Sequence, residues 1–320
     1  MSKSKPIGIE ILVLTYNRAP LIGATLESLL AQVQPAVRIC VLNNGSTDKT
    51  ENVVKSFAGR GVELVSRSSN DPRASWSDLQ SMARGPWTML FHDDDLLHPN
   101  YLRDVSAVLA HEPHATIVVS AMHASINPEA VEWKQSRANR YRITTGRQLA
   151  ALLYGGFPMP FCSAIYRTDV LQKVKMQFET MGKISDRPFV IDSALVGSAV
   201  VMPDPYVKYR LHRGQDSVDQ ASGPFLPEVF ALQRYYRNVL GERISDFPGR
   251  IFLRRNYRNL LREYERLNRH ASEPISQDAF FRKAIEAGAA SNRSFKCGKY
   301  YAALTRIPRS IERGFKTIIR

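Results

Sequence analysis

The chain has 320 residues, of which 44% are hydrophobic and 23% charged, and its formal net charge is +14. These values fit a globular protein with one large domain or two small ones. No run of residues is apolar for long enough to span a bilayer, and a strand-like run, not a signal-peptide core, follows the first residues. The three cysteines are widely spaced and form neither a zinc pattern nor a disulfide framework, so we expect a cytoplasmic protein in a reducing compartment.

The first part of the chain alternates between strand and helix patterns. Short apolar, β-branched runs predict strands at residues 9–14, 37–42, 62–65, 87–91 and 116–122. Helical spacing of apolar residues predicts helices at residues 20–31, 48–57, 77–83 and 99–110. This alternation predicts an α/β fold with a mostly parallel central sheet and helices on both faces.

A polar, irregular segment at residues 124–145 follows, which we expect to be a mobile loop. A second α/β stretch has predicted helices at 146–153, 168–174 and 187–198, and predicted strands at 163–166 and 200–209. Pro203 and Pro205 are expected to break the last strand. From about residue 223 the sequence is Arg-rich and helical in pattern, so we expect an α/β domain over residues 1–220 and a helical extension over residues 221–320.

The positive charge is concentrated in that extension. Residues 221–320 contain 20 basic and 9 acidic residues, a net charge of +11, whereas residues 1–220 carry only +3. This asymmetry indicates an anionic partner, either nucleic acid or an acidic membrane surface, or else a well-solvated helical surface. The basic residues lack the aromatic strand motifs of RNA-binding modules and a helix-turn-helix frame, so no nucleic-acid partner is expected.

The last residues form a predicted basic amphipathic helix. At about 100° per residue, apolar side chains at positions 304, 307, 311, 315 and 318 fall within an arc of about 80°, with basic residues on the opposite side. Such a helix is typical of binding to an anionic membrane surface. The alternative is that the apolar stripe packs against the protein or a second subunit.

Three polar clusters follow predicted strands of the sheet. They lie at residues 15–18, 43–48 and 92–95. In open α/β sheets, ligands bind beyond the carboxyl ends of the strands, so these clusters predict one binding site. No Gly-x-Gly-x-x-Gly or P-loop sequence is present, which excludes the usual dinucleotide and NTPase cradles.

The third cluster contains Asp93, Asp94 and Asp95, directly after an apolar run. Carboxylates at the end of a buried strand are costly unless a cation meets them. A divalent metal ion satisfies them and can carry a diphosphate on its other side. The triplet therefore favours a metal-dependent site for a nucleotide-linked substrate, with an acidic helix-entry turn as the alternative.

The motifs together resemble those of the family 2 glycosyltransferases, which have the GT-A fold. The matching segments occur in the family's order at residues 12–18, 39–48, 85–99, 185–189 and 209–217. The resemblance implies inverting transfer of a sugar from a nucleotide-diphosphate sugar to an acceptor hydroxyl, assisted by Mn²⁺ or Mg²⁺. It also implies a saccharide or lipid-linked saccharide acceptor, as in bacterial O-antigen or capsule biosynthesis at the inner face of the membrane.

The resemblance assigns roles to individual residues. In register with the family's Asp-x-Asp-Asp motif, His92 replaces the first acid, and Asp94 becomes the most direct metal ligand, with Asp95 near it as a further candidate. His212 is another candidate metal ligand or a diphosphate contact, and the alternative is a polar loop residue without a role. Asp186 is the expected general base; the alternatives are that it only caps the following helix or that Asp192 is the base. The nucleotide-sugar would contact residues from several loops, namely Thr15, Asn17, Arg18, Asn44, Arg73 and Asp93.

One departure affects the nucleotide. The family usually has an acid at the position of Asn44, where it reads the base, and an amide offers a donor as well as an acceptor. The base is therefore left open, and Asn44-Gly45 could also form an ordinary tight turn. Because Asn44 and His92 both depart from the pattern, a non-catalytic nucleotide-sugar-binding protein remains an alternative to the enzyme.

Overall fold

The computed structural model describes residues 7–212, residue 215, and residues 226–269 and 274–304. The chain divides into two units. The first contains Met1–Leu149, Phe157–Phe178 and Ser185–Gln215, and the second contains Ala150–Gly156, Glu179–Ile184 and Asp216–Arg320.

The first unit is built on one nine-stranded sheet. Its strands are β1 Ile9–Thr15, β2 Arg38–Asn43, β3 Val62–Ser66, β4 Trp87–His92, β5 Leu96–Leu97, β6 Ala115–Ser125, β7 Arg142–Thr145, β8 Ile165–Arg167 and β9 Ser198–Arg210. The order across the sheet is β3-β2-β1-β4-β8-β6-β9-β5, and β7 also pairs with β9. The predicted α/β class is confirmed.

Four adjacent strands, β3, β2, β1 and β4, are all parallel. The interior positions of β1, β2 and β4 are almost continuously buried, as expected for strands with both faces covered. The register pairs Thr15 with Asn43 and Leu14 with His92. The carboxyl ends of β1, β2 and β4 therefore meet at one edge of the sheet, as the polar clusters predicted.

Beyond β4 the sheet is mixed. Strand β8 is antiparallel to β4 and β6, β6 and β9 are parallel, and β5 and β7 are antiparallel to β9. Pro203 and Pro205 do not break β9, because register shifts opposite Ser120–Met122 accommodate them as irregularities in the pairing. The expectation of a broken strand was wrong for this reason.

Helices accompany the strands, and all of them except the short helix Phe178–Met181, which was not predicted, lie close to the predicted positions. They are α1 Ala19–Leu30, α2 Thr50–Lys55, α3 Pro72–Ser81, α4 Tyr101–His111, α5 Gly146–Tyr154, α6 Thr168–Leu171, α7 Phe178–Met181 and α8 Asp186–Leu195. Helix α3 begins five residues earlier than predicted. Asp71 caps it by accepting hydrogen bonds from the backbone of Arg73 and Ala74, and Pro72 takes the first helical position.

The segment 124–145, expected to be a loop, is fastened to β9 by charged and aromatic contacts. The Lys208 Nζ atom lies 4.1 Å from the centre of the Trp133 ring, and Arg210 forms an ion pair with Glu129 at 2.5 Å. The segment then ends in strand β7, which pairs with the first residues of β9. Its polar composition gave no sign of these long-range contacts.

The described part of the second unit is helical, as predicted. Its further helices are α9 Leu226–Leu240, α10 Phe247–Asn268, α11 Gln277–Glu286 and α12 Asn292–Leu304. Apolar residues of these helices, including Phe230, Leu260 and Phe280, form a separate core. Buried Asn256 joins three parts of the unit, because its side chain bonds to the Tyr154 hydroxyl, the Ala289 carbonyl and the Ser294 hydroxyl.

Within the described residues, none of the helices has the length and apolar character that crossing a bilayer requires. The predicted amphipathic helix lies outside the described residues, except that Leu304 is the last residue of α12.

Candidate active site

The loops after β1 and β2 are joined by hydrogen bonds around Asn17. Its backbone N–H donates to the Ser46 hydroxyl at 3.0 Å, and its side-chain oxygen accepts from the Thr47 N–H at 2.8 Å. Asn17 has a φ of 51°, a left-handed conformation that Asn tolerates better than most residues. Asn17 therefore fixes the shape of the site edge, and Thr15, buried at the end of β1, lies beside it.

Arg18 and Asp93 connect the first loop to the acid cluster. The Arg18 Nε atom lies 3.6 Å from Asp93 Oδ1, and the backbone N–H of Tyr16 donates to Asp93 Oδ2 at 3.2 Å. The Thr50 hydroxyl accepts from the Arg18 backbone N–H at 2.8 Å, which anchors Arg18 to the start of α2.

Asn44 is buried and organises the loop after β3. Its amide nitrogen donates to Asn70 Oδ1 at 2.7 Å, and its amide oxygen accepts from the Asp71 N–H at 3.1 Å. A side chain at Gly45, whose φ is +71°, would approach the Ser69 backbone to 2.5 Å. Only glycine therefore fits where the loop after β2 meets the loop after β3. Asn44 thus holds the loop that leads into α3, where exposed Arg73 lies in the first turn.

The acid cluster meets the end of β9 through Asp94. Its Oδ2 atom lies 2.9 Å from the Nε2 atom of His212, although 118 positions separate the two residues in the sequence. The side chains are 12% and 20% exposed, so this pair borders solvent. The structure thereby brings together two of the three predicted metal-binding residues.

Asp95, the third, faces the interior and is fully buried. Its Oδ1 atom accepts from the Arg210 N–H at 2.9 Å, and its Oδ2 atom lies 3.0 Å from the Cys162 sulfur and 3.5 Å from His92 Nδ1. These contacts tie the loop after β4 to the end of β9, directly beside the Asp94–His212 pair.

The cluster concentrates negative charge in a buried place. Burial and the neighbouring charge of Asp94 raise the pKa of Asp93 to about 7. Burial alone would lower the pKa of His92, but its hydrogen bond to Asp95 and the surrounding carboxylates raise it to about 9. A partly exposed carboxylate facing an imidazole, with further carboxylates behind it, is a donor set that fits Mn²⁺ or Mg²⁺.

Asp186 is the first residue of α8 and is half-buried. Its Oδ1 atom accepts from the Arg187 N–H at 2.8 Å, whereas Ser185 makes no side-chain capping bond. Burial, followed by the electrostatic effects of Asp186 and Cys162, raises the pKa of buried Tyr166 well above its usual range. Asp186 thus begins α8 and uses one carboxylate oxygen within the first turn of its own helix.

Two other side chains of the first unit, Asp192 and Trp76, each have a side-chain partner. Asp192, the competing base, accepts a hydrogen bond from the Gln177 amide at 2.8 Å. Trp76 meets the Phe161 ring edge-on at 5.4 Å between ring centres, which supports a packing role.

Sequence reasoning gave no role to Cys162 or Gln215. Cys162 is an isolated cysteine in the sequence, so nothing there indicates its contact with Asp95. Gln215 lies three residues after His212 and forms hydrogen bonds on both sides of it: its amide nitrogen donates to the Arg210 carbonyl, and its amide oxygen accepts from the His212 N–H. The spacing of three residues between His212 and Gln215 was the one signal in the sequence for this contact.

Known proteins resemble this chain in sequence. The model of the family described as glycosyl transferase family 2 matches residues 10–175. An uncharacterized glycosyltransferase of Haemophilus influenzae is 24% identical over 152 residues; the match covers 47% of this chain and only 51% of that protein. The succinoglycan biosynthesis protein ExoO of Rhizobium meliloti is 22% identical over 249 residues, covering 74% of this chain and 71% of ExoO.

Solved structures share the fold. TarS of S. aureus, solved in complex with UDP-GlcNAc, superposes with a TM-score of 0.62 at 17% identity, covering 93% of this chain and 92% of that one. The mannosyltransferase PcManGT of Pyrobaculum calidifontis, solved with GDP-Man and Mn²⁺, has a TM-score of 0.51 at 16% identity, covering 99% and 85%.

A sheet of this topology, with an acid cluster at the ends of its parallel strands, defines a protein of the GT-A fold class. The family match extends over about half of the chain, and the chain belongs to glycosyl transferase family 2. The resemblance that the sequence motifs indicated is confirmed.

Proposed function

We propose that this protein is an inverting, metal-dependent glycosyltransferase that moves a sugar from a nucleotide-diphosphate sugar to an acceptor hydroxyl. The observation that carries the proposal is the Asp94–His212 pair, 2.9 Å apart at the edge where the parallel strands end. Family membership and the fold shared with TarS and PcManGT, whose structures contain nucleotide-sugars, support it.

Asp94 and His212 would hold the metal ion, with Asp95 positioning the loop behind them. Mn²⁺ or Mg²⁺, when bound, supplies the positive charge that stabilises the leaving diphosphate. Asp93, held by Arg18 and the Tyr16 backbone, adds to the negative potential that attracts the cation.

The nucleotide would lie across the loops after β1, β2 and β3. Thr15 and Arg18 would border this surface, and Arg73, exposed in the first turn of α3, would reach it. Because the amides of Asn17 and Asn44 are hydrogen-bonded to neighbouring loops, we assign them the task of shaping the base and ribose site. This arrangement leaves the identity of the base open.

Asp186 would act as the general base. Its carboxylate accepts the proton of the acceptor hydroxyl while the hydroxyl oxygen bonds to the anomeric carbon. The bond from that carbon to the diphosphate oxygen breaks, and its electron pair leaves with the nucleotide diphosphate. A single displacement of this kind inverts the anomeric configuration.

For the acceptor we propose a growing or lipid-linked saccharide of a bacterial surface polysaccharide, such as O-antigen or capsule. The name of ExoO, a succinoglycan biosynthesis protein, supports a polysaccharide product. The charge of +11 on residues 221–320 supports a cytoplasmic protein that binds peripherally to the anionic inner face of the membrane.

A thermal-shift panel tests the proposal. UDP-, GDP-, dTDP- and CMP-sugars are added with and without Mn²⁺, and we expect at least one to raise the melting temperature only when the metal is present. Asp94→Ala should abolish that shift. If no nucleotide shifts the melting temperature but DNA or RNA does, the proposal fails.

A non-catalytic nucleotide-sugar-binding protein is the second candidate, because His92 replaces the expected first acid and the Asn44 amide is already hydrogen-bonded. Such a protein would pass the binding test. It would release no nucleotide diphosphate with any acceptor, whereas the enzyme should do so with a lipid-linked saccharide.

A further inference from the structure

Behind the Asp94–His212 pair, three chemically different side chains converge on one point. The Cys162 sulfur lies 3.0 Å from Asp95 Oδ2, and His92 Nδ1 lies 3.5 Å from the same oxygen. All three ligand atoms lie within 4.8 Å of one another. We propose that His92, Asp95 and Cys162 form a second metal site that binds Zn²⁺ or a similar borderline-soft divalent ion.

The donor set is the basis for the choice of metal. One thiolate sulfur, one imidazole nitrogen and one carboxylate oxygen suit Zn²⁺, which accepts these ligands at about 2.0–2.3 Å in tetrahedral geometry. Mg²⁺ and Mn²⁺ favour oxygen ligands, so a buried thiolate disfavours them. The Asp94–His212 pair has no sulfur, which separates the two sites by chemistry.

The three residues are held in place by the fold. His92 is the last residue of β4, and its ring stacks on Phe161 with centres 5.8 Å apart. Cys162 lies in the short turn that packs beside β4, and Asp95 is fixed through its other oxygen by the Arg210 N–H. Little rearrangement is needed to close the three ligand atoms around an ion.

An ion can reach this site past His92. The His92 side chain is 31% exposed, whereas Asp95 and Cys162 are fully buried. Binding replaces the contacts of the Cys162 thiol and the His92 imidazole with Asp95 by three metal bonds, and the thiol proton and the proton on His92 Nδ1 are both released to solvent. The fourth ligand position remains for water.

The site would link zinc to the proposed function. Asp94 and Asp95 are adjacent, so an ion held by Asp95 Oδ2 adds positive charge beside Asp94 and opposes a second cation there. We therefore expect Zn²⁺ to weaken Mn²⁺-dependent nucleotide binding, whereas excess Mn²⁺ should not remove the sulfur-bound ion. This consequence rests on the proposed function, but occupancy of the site does not.

Cobalt substitution tests the site without any activity measurement. Co²⁺ commonly replaces Zn²⁺, and a cobalt–thiolate bond gives a near-ultraviolet charge-transfer band. We expect one equivalent of Co²⁺ to produce this band in the wild-type protein and Zn²⁺ to remove it. The band should be absent in Cys162→Ser and reduced in His92→Asn, with the melting temperature of each variant checked without metal.

Matched variants assign the sulfur. Cys40→Ser and Cys297→Ser remove the two other cysteines, and both should keep the band, as should Asp94→Asn. A wild-type protein without the band, or a band that survives Cys162→Ser, would overturn the proposal. Failure of the nucleotide-binding test leaves the cobalt result unchanged, so the two claims fail separately.

Discussion

Gln215 offers a test of how the fold positions His212. Its buried side chain donates to the Arg210 carbonyl at 2.5 Å and accepts from the His212 N–H at 3.2 Å. Both contacts hold the backbone that carries the imidazole toward Asp94. Gln215→Ala removes both hydrogen bonds and leaves the side chains of the two proposed metal ligands, Asp94 and His212, unchanged.

The expected magnitude follows from these two hydrogen bonds. Each contributes about 1 kcal/mol net, so the ordered conformation loses about 2 kcal/mol. If metal binding must then restore that order, the affinity for Mn²⁺ falls by roughly 30-fold. Affinity for the nucleotide at saturating Mn²⁺ should change little, because the loops proposed to contact the nucleotide are those after β1, β2 and β3, and Gln215 is not part of them.

The assay titrates Mn²⁺ at a fixed nucleotide concentration, and binding is monitored by calorimetry or by the thermal shift. Gln80→Ala is the matched control, because its amide also donates to two backbone carbonyls, those of Leu171 and Val174, neither of which belongs to the acid cluster or to its partners. We expect the control to lose stability but to keep the wild-type Mn²⁺ midpoint.

Two results would refute this reasoning. A Gln215→Ala midpoint equal to that of the wild type would show that Gln215 does not position His212. An equal loss in the Gln80→Ala control would show that the midpoint reports general stability and not the geometry of the metal pair.

Three further predictions concern the base, the loop edge and the C-terminal region. Asp186→Asn should lower the turnover number by about 10²–10⁴-fold while nucleotide binding persists; unchanged turnover would exclude it as the base. Asn17→Ala should lower the free energy of unfolding by about 2 kcal/mol in urea titrations, because the variant loses hydrogen bonds to the backbone of the next loop and places Ala at positive φ. A change below about 0.5 kcal/mol would contradict the role of Asn17 in joining the two loops. Removal of residues 305–320 should reduce retention by anionic liposomes at low salt; equal retention, or equal binding to neutral liposomes, contradicts the membrane proposal.

The parallel half of the sheet was predictable because its signals are local. Strands β1, β2, β3 and β4 are short apolar runs with polar residues at their ends, and strand polarity alone brings those ends to one edge. The pairing of Asp94 with His212 was anticipated only through the family resemblance, since 118 positions separate them.

The remaining features of the sheet and of the site depend on long-range packing, which no local sequence pattern encodes. Strand β7 is polar and short, and it forms because β9 offers it a pairing edge. Cys162 and Asp95 meet across 67 positions through the turn after helix α5. The hydrogen bonds of the Asn44 amide with Asn70 and Asp71 join residues 26 and 27 positions apart, and no local pattern indicated them.

The most direct test of the metal assignment is anomalous diffraction from crystals grown with Mn²⁺ and a nucleotide diphosphate. We predict one manganese peak within coordination distance of both Asp94 Oδ2 and His212 Nε2, bridged to the diphosphate. Nucleotide bound at the strand ends with no manganese peak at that pair would contradict the account.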